Sequence, residues 1–209
     1  MNVAILGRGE SLYDINKLKN FPIDICILCN TFTTELRHKD IWNFVKDKKI
    51  IHLMSKVKGS PLTKEMYQKL GVSYCIINRP EKDWIDHPNK KVIEDYDINM
   101  KLIPEPLSII ENGHGISEYA KTIPSTGFVG LAYAVFELKA ENVYIIGMDF
   151  YETQFMSTGR IWHRTKLKNL REKQMKDWLL KLAEKTQDVT YTIITRSNHR
   201  HDIPNIRYL

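Results

Sequence analysis

Three short stretches hold residue types suited to handling a phosphate. Pro124, Ser125, Thr126 and Gly127 stand directly before an apolar run at 128–138. A hydroxyl cap there opens a helix whose first amides and positive end receive an anion. Gly7, Arg8 and Gly9 come right after the apolar run VAIL at 3–6 and lead into Glu10, Ser11 and Leu12. A strand entering a tight glycine turn has the layout of a first phosphate-binding βα turn. Gly147, Met148, Asp149, Phe150 and Tyr151 follow a third apolar run at 143–146. Ligands of open α/β sheets bind at such carboxyl ends of strands, beside helix amino ends. Asn30 closes a further run at 23–29 and brings an amide that both donates and accepts; an Asx turn explains an asparagine there equally well.

These stretches need a scaffold that gathers strand ends, and the rest of the chain supplies its parts. Apolar runs at 50–54, 72–77 and 189–194 read as further strands. Between them lie segments with helical spacing. The stretch 35–47 places Leu36, Ile41, Trp42, Phe44 and Val45 on a surface helix, and 62–70 is a helix stopped by Gly71. The helix at 128–138 is apolar nearly all round, as one pressed into a core should be. Leu167, Leu170, Met175, Trp178, Leu179 and Leu182 trace one face of a long helix. Strands alternating with helices predict an α/β fold, a mostly parallel sheet with helices on both faces. Two segments lack a period: 79–114, with four prolines and alternating charge, reads as a long excursion, and the polar 152–164 reads as a lid.

Several function classes are disfavoured. A dinucleotide fingerprint wants a third glycine where Leu12 stands and an acid closing the second strand where Cys29 and Asn30 stand. No lysine and hydroxyl pair completes a P-loop. Cys26 and Cys29 form a CxxC, but positions three apart on a strand face opposite sides, which speaks against a redox or zinc site. His199, His201 and Asp202 lack convergent partners and read as a solvated tail, so no metal is expected. With 209 residues and 43% hydrophobic content the chain can bury one sizeable core. Its apolar runs fall short of a membrane span, and the expectation is a cytoplasmic protein. A net charge of +6 favours an acidic partner, without any nucleic-acid motif; Arg196, Arg200 and Arg207 leave a peripheral association with an anionic inner membrane open.

GRGESL after the first strand, the asparagine of ILCNTF, and STG, helix, IIGMDFY occur in that order. Together they resemble the bacterial lipooligosaccharide sialyltransferases of glycosyltransferase family 42, and more distantly proteins like 6-hydroxymethylpterin diphosphokinase. The first resemblance implies a Rossmann-like single domain over 1–209. It also implies metal-independent, inverting transfer of sialic acid from CMP-sialic acid, or a similar nucleotide sugar, to a glycan or glycolipid hydroxyl. By it Gly7, Arg8 and Gly9 meet the donor's phosphate and ribose, and Asn30 reaches the donor. Ser125, Thr126 and Gly127 bind nucleotide through the helix start, while Gly147, Asp149 and Phe150 shape its pocket. Tyr151 gives its phenol to the departing phosphate and His163 takes the acceptor's proton. No cofactor is implied, and family relatives are often homo-oligomers.

The chain also departs from that family. Arg8 replaces the usual asparagine, Glu10 replaces proline, the serine and threonine before Gly127 are swapped, and the lid is short. Two rivals stand beside this reading: a pterin diphosphokinase-like enzyme using Mg²⁺ and ATP, and a non-catalytic nucleotide-binding protein.

Overall fold

The computed structural model describes residues 1–54, 62–78, 96, 99–103, 125–154, 156 and 165–209. Eight strands form one sheet: β1 (Asn2–Leu6), β2 (Ile25–Cys29), β3 (Lys49–Met54), β4 (Val72–Asn78), β5 (Met100–Ile103), β6 (Asn142–Ile146), β7 (Thr190–Ile194) and β8 (Ile206–Tyr208). They lie in the order β5-β4-β3-β2-β1-β6-β7-β8, and every neighbouring pair is parallel. Parallel pairs need crossovers, and these place helices on the two faces. Val3, Ile5, Ile25, Ile27 and Cys29 join the core on one face, packed with α3 (Thr126–Ala132) and α4 (Thr165–Lys185). Ala4, Leu6, Cys26 and Leu28 join the core on the other, under the 3-10 helix Glu10–Leu18, α1 (Lys39–Val45) and α2 (Lys64–Leu70).

That double covering is why these strands read as unbroken apolar runs. It also disposes of the CxxC, since Cys26 and Cys29 face different cores, are unpaired, and have thiols pushed up to about 12 by burial. On α4, Met175, Trp178, Leu179 and Leu182 are buried as the spacing predicts, with Trp178 and Phe128 rings 5.0 Å apart.

Four local features differ from the sequence expectation. The helix after the first turn is a 3-10 helix kinked at Asp14. The stretch 35–47 breaks at His38, whose backbone is extended, into a 3-10 turn (Glu35–Arg37) and α1. β5 lies inside the segment read as an excursion. β8 occupies the end read as a solvated tail: Asn205 Nδ2 donates to the carbonyls of Ala183, Thr186 and Val189, and Leu209 N bonds Ile193 O. Strands of three or four residues at sheet edges carry too little apolar alternation to show in a sequence. No described helix is long and apolar enough to cross a membrane.

Candidate functional site

The strand order runs outward in both directions from β1, so the crevice at the carboxyl ends of β1 and β6 is a topological switch point. Glycines let these two ends touch. Gly7 N donates to Ile146 O and Gly9 N to Gly147 O, each at 2.8 Å. A Cβ on Gly7 would lie 2.2 Å from Gly147 O, and Gly147 itself has φ 73°. The amides of Gly7 and Gly9 are therefore engaged with β6, and Arg8 between them is the residue of the turn that brings a charged side chain. Ser11, fully buried, accepts from Gly147 N at 2.9 Å.

Asp149 ties three loops into one body. Its Oδ2 accepts from Ser11 N (2.9 Å) and Thr153 Oγ1 (2.8 Å), and its Oδ1 from Thr195 Oγ1 (2.9 Å) and Arg196 N (3.1 Å). Asp149 is 4% exposed. Directly after it Phe150 (φ 50°) and Tyr151 (φ 63°) are both left-handed, a costly conformation for aromatic residues that is kept where surrounding structure enforces it. Part of that enforcement is visible. The Phe150 ring is buried against the edges of His199 and His201, at 5.8 and 6.5 Å. Glu152 N closes the turn onto Asp149 O, and Lys176 of α4 holds the Glu152 carboxylate.

His199 and His201 thus belong to the wall behind the site, not to a solvated tail. Their Nε2 atoms are 3.0 Å apart. His201 Nε2 also lies 2.9 Å from Lys176 O, so that nitrogen carries the proton, and Nδ1 accepts from the Tyr208 hydroxyl. Burial, the largest cause, lowers the pKa of both rings.

On the other side of β1, Asn30 is left-handed at φ 62°, and its Oδ1 accepts from Thr126 Oγ1 at 3.0 Å. Ser125 caps α3 by accepting from Phe128 N (3.3 Å) and turns its own proton to Met175 Sδ (2.7 Å). Gly127 lies against Met148, whose Sδ would be 2.8 Å from an added Cβ. The glycine turn, Asn30, the start of α3 and the β6 end are thereby joined by direct contacts at the carboxyl ends of the central strands. Tyr151, next in the chain after Phe150, is half-buried and packs against the core. His163, and with it Ser157, Thr158, Gly159 and Trp162 of the segment read as a lid, lies outside the described residues.

Two contributors escaped the sequence reading. Glu35, fully buried, accepts from Arg8 Nε at 2.7 Å and is the counter-ion of the turn's cation. Its signal was an acid inside a stretch that reads as a surface helix. The other is His52, fully buried in β3, whose Nε2 is 2.6 Å from Asn30 O. A histidine in the apolar run IIHLM was the available clue.

Burial pushes the His52 pKa down to about 4, against an upward pull from the bond to Asn30. The unfolded ring binds a proton near pH 6.5 while the folded one stays neutral to about pH 4. Between these values the unfolded state holds the extra proton, so stability falls with falling pH by about 1.4 kcal/mol per unit. Urea unfolding at pH 6, 5.5 and 5 is expected to approach this slope, and His52→Gln to remove its share of it.

The geometry can be set beside a known protein. The sialyltransferase CST-II, in a crystal structure with a trisaccharide acceptor and CMP, superposes with a TM-score of 0.60 at 20% identity, covering 93% of this chain and 81% of that one. The likeness is one of fold. The chain has a Rossmann-like α/β architecture of the kind found in that enzyme. No protein-family model matches the sequence, and no curated protein matches it.

Proposed function

We propose that the chain is a glycosyltransferase that moves sialic acid, or a related sugar, from a CMP-sugar to a hydroxyl of a glycan or glycolipid, with inversion. One observation carries this reading. Gly9, Asn30, Thr126 and Asp149 come from four distant parts of the sequence and meet at the β1–β6 switch point. They do so on a fold shared with a sialyltransferase crystallised with CMP.

In this reading the Arg8 guanidinium and the first turn of α3, headed by Ser125, Thr126 and Gly127, receive the donor's phosphate. The Asn30 amide meets the donor from the β2 side. Asp149 acts by fastening the loops, because its oxygens already serve four protein donors. Gly7 and Gly147 let the two strand ends close, and buried Phe150 sets the turn that presents Tyr151.

The acceptor oxygen attacks the anomeric carbon from the face opposite CMP. A new carbon–oxygen bond forms as the bond to the phosphate oxygen breaks, and that electron pair leaves with CMP. The acceptor's proton passes to His163, a neutral imidazole near pH 7. The Tyr151 phenol and the helix amides stabilise the charge growing on the leaving phosphate, a task fixed donors perform without a metal.

The test pairs binding with turnover. CMP is expected to raise the melting temperature more than UDP, GDP or ATP. His163→Ala should lower transfer from CMP-sialic acid by a factor of about 10² to 10⁴ while CMP still binds. Normal turnover by that variant, or stabilisation by ATP with Mg²⁺ and none by CMP, would refute the assignment.

A further inference from the structure

Asn30 is held by more than its own strand. Its amide donates to Leu53 O at 2.7 Å, and its carbonyl faces His52 Nε2 at 2.6 Å. A carbonyl oxygen only accepts, so Nε2 carries the imidazole proton and Nδ1 is left as a lone pair. That lone pair meets the Tyr67 hydroxyl at 2.6 Å, so Tyr67 is the donor in this contact. Cys75 Sγ in turn lies 3.4 Å from the Tyr67 oxygen and gives it its S–H. Every proton in the row is thus assigned in one direction: Cys75 to Tyr67, Tyr67 to His52, His52 to Asn30. His52, Tyr67 and Cys75 are all buried, and they come from β3, α2 and β4.

A row of this kind needs a reason, because hydrophobic packing on those three elements requires none of its polar atoms. Its open end is a left-handed asparagine at the candidate site, a conformation that a non-glycine residue holds at a cost. We propose that His52 and Tyr67 are positioning residues of the ligand site, which act through Asn30 by fixing its backbone so that its side chain meets Thr126 and the nucleotide donor. This rests on the proposed function, in which Asn30 touches the donor. The direction of the row matters. The Asn30 carbonyl confines His52 to the tautomer whose Nε2–H faces it, Tyr67 satisfies the Nδ1 lone pair that this leaves, and burial keeps the ring neutral.

The test is a cycle of variants with CMP as the probe, titrated at a temperature where circular dichroism shows each variant folded. His52→Leu removes the donor to Asn30 and should weaken CMP binding by about tenfold, the scale expected when a buried carbonyl loses its partner. His52→Gln retains an N–H of similar reach and should restore most of that loss. Tyr67→Phe leaves the buried Nδ1 lone pair without its donor, loosening the hold on the ring, and should weaken binding by about threefold, as for a neutral hydrogen bond. In ¹⁵N spectra the imidazole of wild type should show its proton on Nε2 alone, and the Nδ1 resonance should move in Tyr67→Phe as that nitrogen loses its donor. Asn30→Ala should weaken binding by itself, and His52→Leu should add little on top of it, because both act through one group.

Full additivity of His52→Leu with Asn30→Ala, or wild-type affinity in His52→Leu, would overturn the inference. A normal CMP affinity in Asn30→Ala would instead remove Asn30 from the ligand site, which is a failure of the functional reading. A further measurement needs no ligand: the Asn30 amide should exchange its hydrogen faster in His52→Leu than in wild type. Unchanged exchange would overturn the positioning role whatever the protein binds.

Discussion

Replacing Asp149 by asparagine is expected to lower the unfolding free energy by about 2 kcal/mol, although the two side chains have nearly the same shape. Each carboxylate oxygen of Asp149 accepts from two donors: Ser11 N and Thr153 Oγ1 on one, Thr195 Oγ1 and Arg196 N on the other. An amide must turn its NH₂ toward one of these pairs, so whichever way it is oriented one backbone N–H, of Ser11 or of Arg196, loses its acceptor and faces another donor, while the threonine hydroxyl beside it can turn to accept. Each buried group left unpaired costs about 1 to 3 kcal/mol, which sets the estimate. Asp149→Ala should cost a similar amount by leaving all four donors without a partner while relieving the clash. Urea denaturation measures both. If asparagine is tolerated within about 0.5 kcal/mol, the range of ordinary surface changes, then Asp149 does not bind the three loops together.

Gly7→Ala should cost about 4 kcal/mol, at the upper end of the range for a single substitution. The added methyl would sit 2.2 Å from Gly147 O and 2.6 Å from Gly147 C, both backbone atoms that cannot swing away. Relief requires β1 and β6 to part at the point where Gly7 and Gly9 bond β6. Gly71→Ala is the control. Gly71 has φ 58° but nothing within 4 Å of an added Cβ, so only the left-handed backbone is penalised, by about 1 kcal/mol. Equal losses in the two variants would mean that close approach at Gly7 carries no weight. In the proposed enzyme, Gly7→Ala should also lose CMP binding, whereas Gly71→Ala should not.

The fold was legible where burial forces a pattern. β1, β2, β3, β4, β6 and β7 each show in the sequence because a strand covered on both faces must be apolar throughout. The buried face of α4 shows through its spacing, and Gly71 marks the end of α2. β5 and β8 were missed because each is held at a sheet edge by pairing and, for β8, by the side chain of Asn205, none of which leaves a periodic trace.

The candidate site was legible in part, for a different reason. Glycines at 7, 9 and 147 announce turns, but their spacing does not say that the turns would touch each other or that the amides of Gly7 and Gly9 would be taken by β6. Asp149 reads as a polar residue at a strand end, and its use as a four-donor acceptor depends on Ser11, Thr153, Thr195 and Arg196, which become its neighbours only in three dimensions. Glu35 and His52 left only a polar residue out of place as a clue, because pairing with Arg8 and with Asn30 spans loops that no local pattern predicts.

The central claim is that a CMP-type nucleotide occupies the crevice where β1 and β6 end. Its most direct test is a titration of the isotope-labelled protein with CMP, following backbone amides. The account predicts saturable shifts concentrated at Arg8, Glu10, Asn30, Thr126, Gly127 and Tyr151, with Asn30→Ala reducing them. Shifts confined to the far edges of the sheet, around β5 or β8, or no shifts with CMP at millimolar concentration, would contradict it.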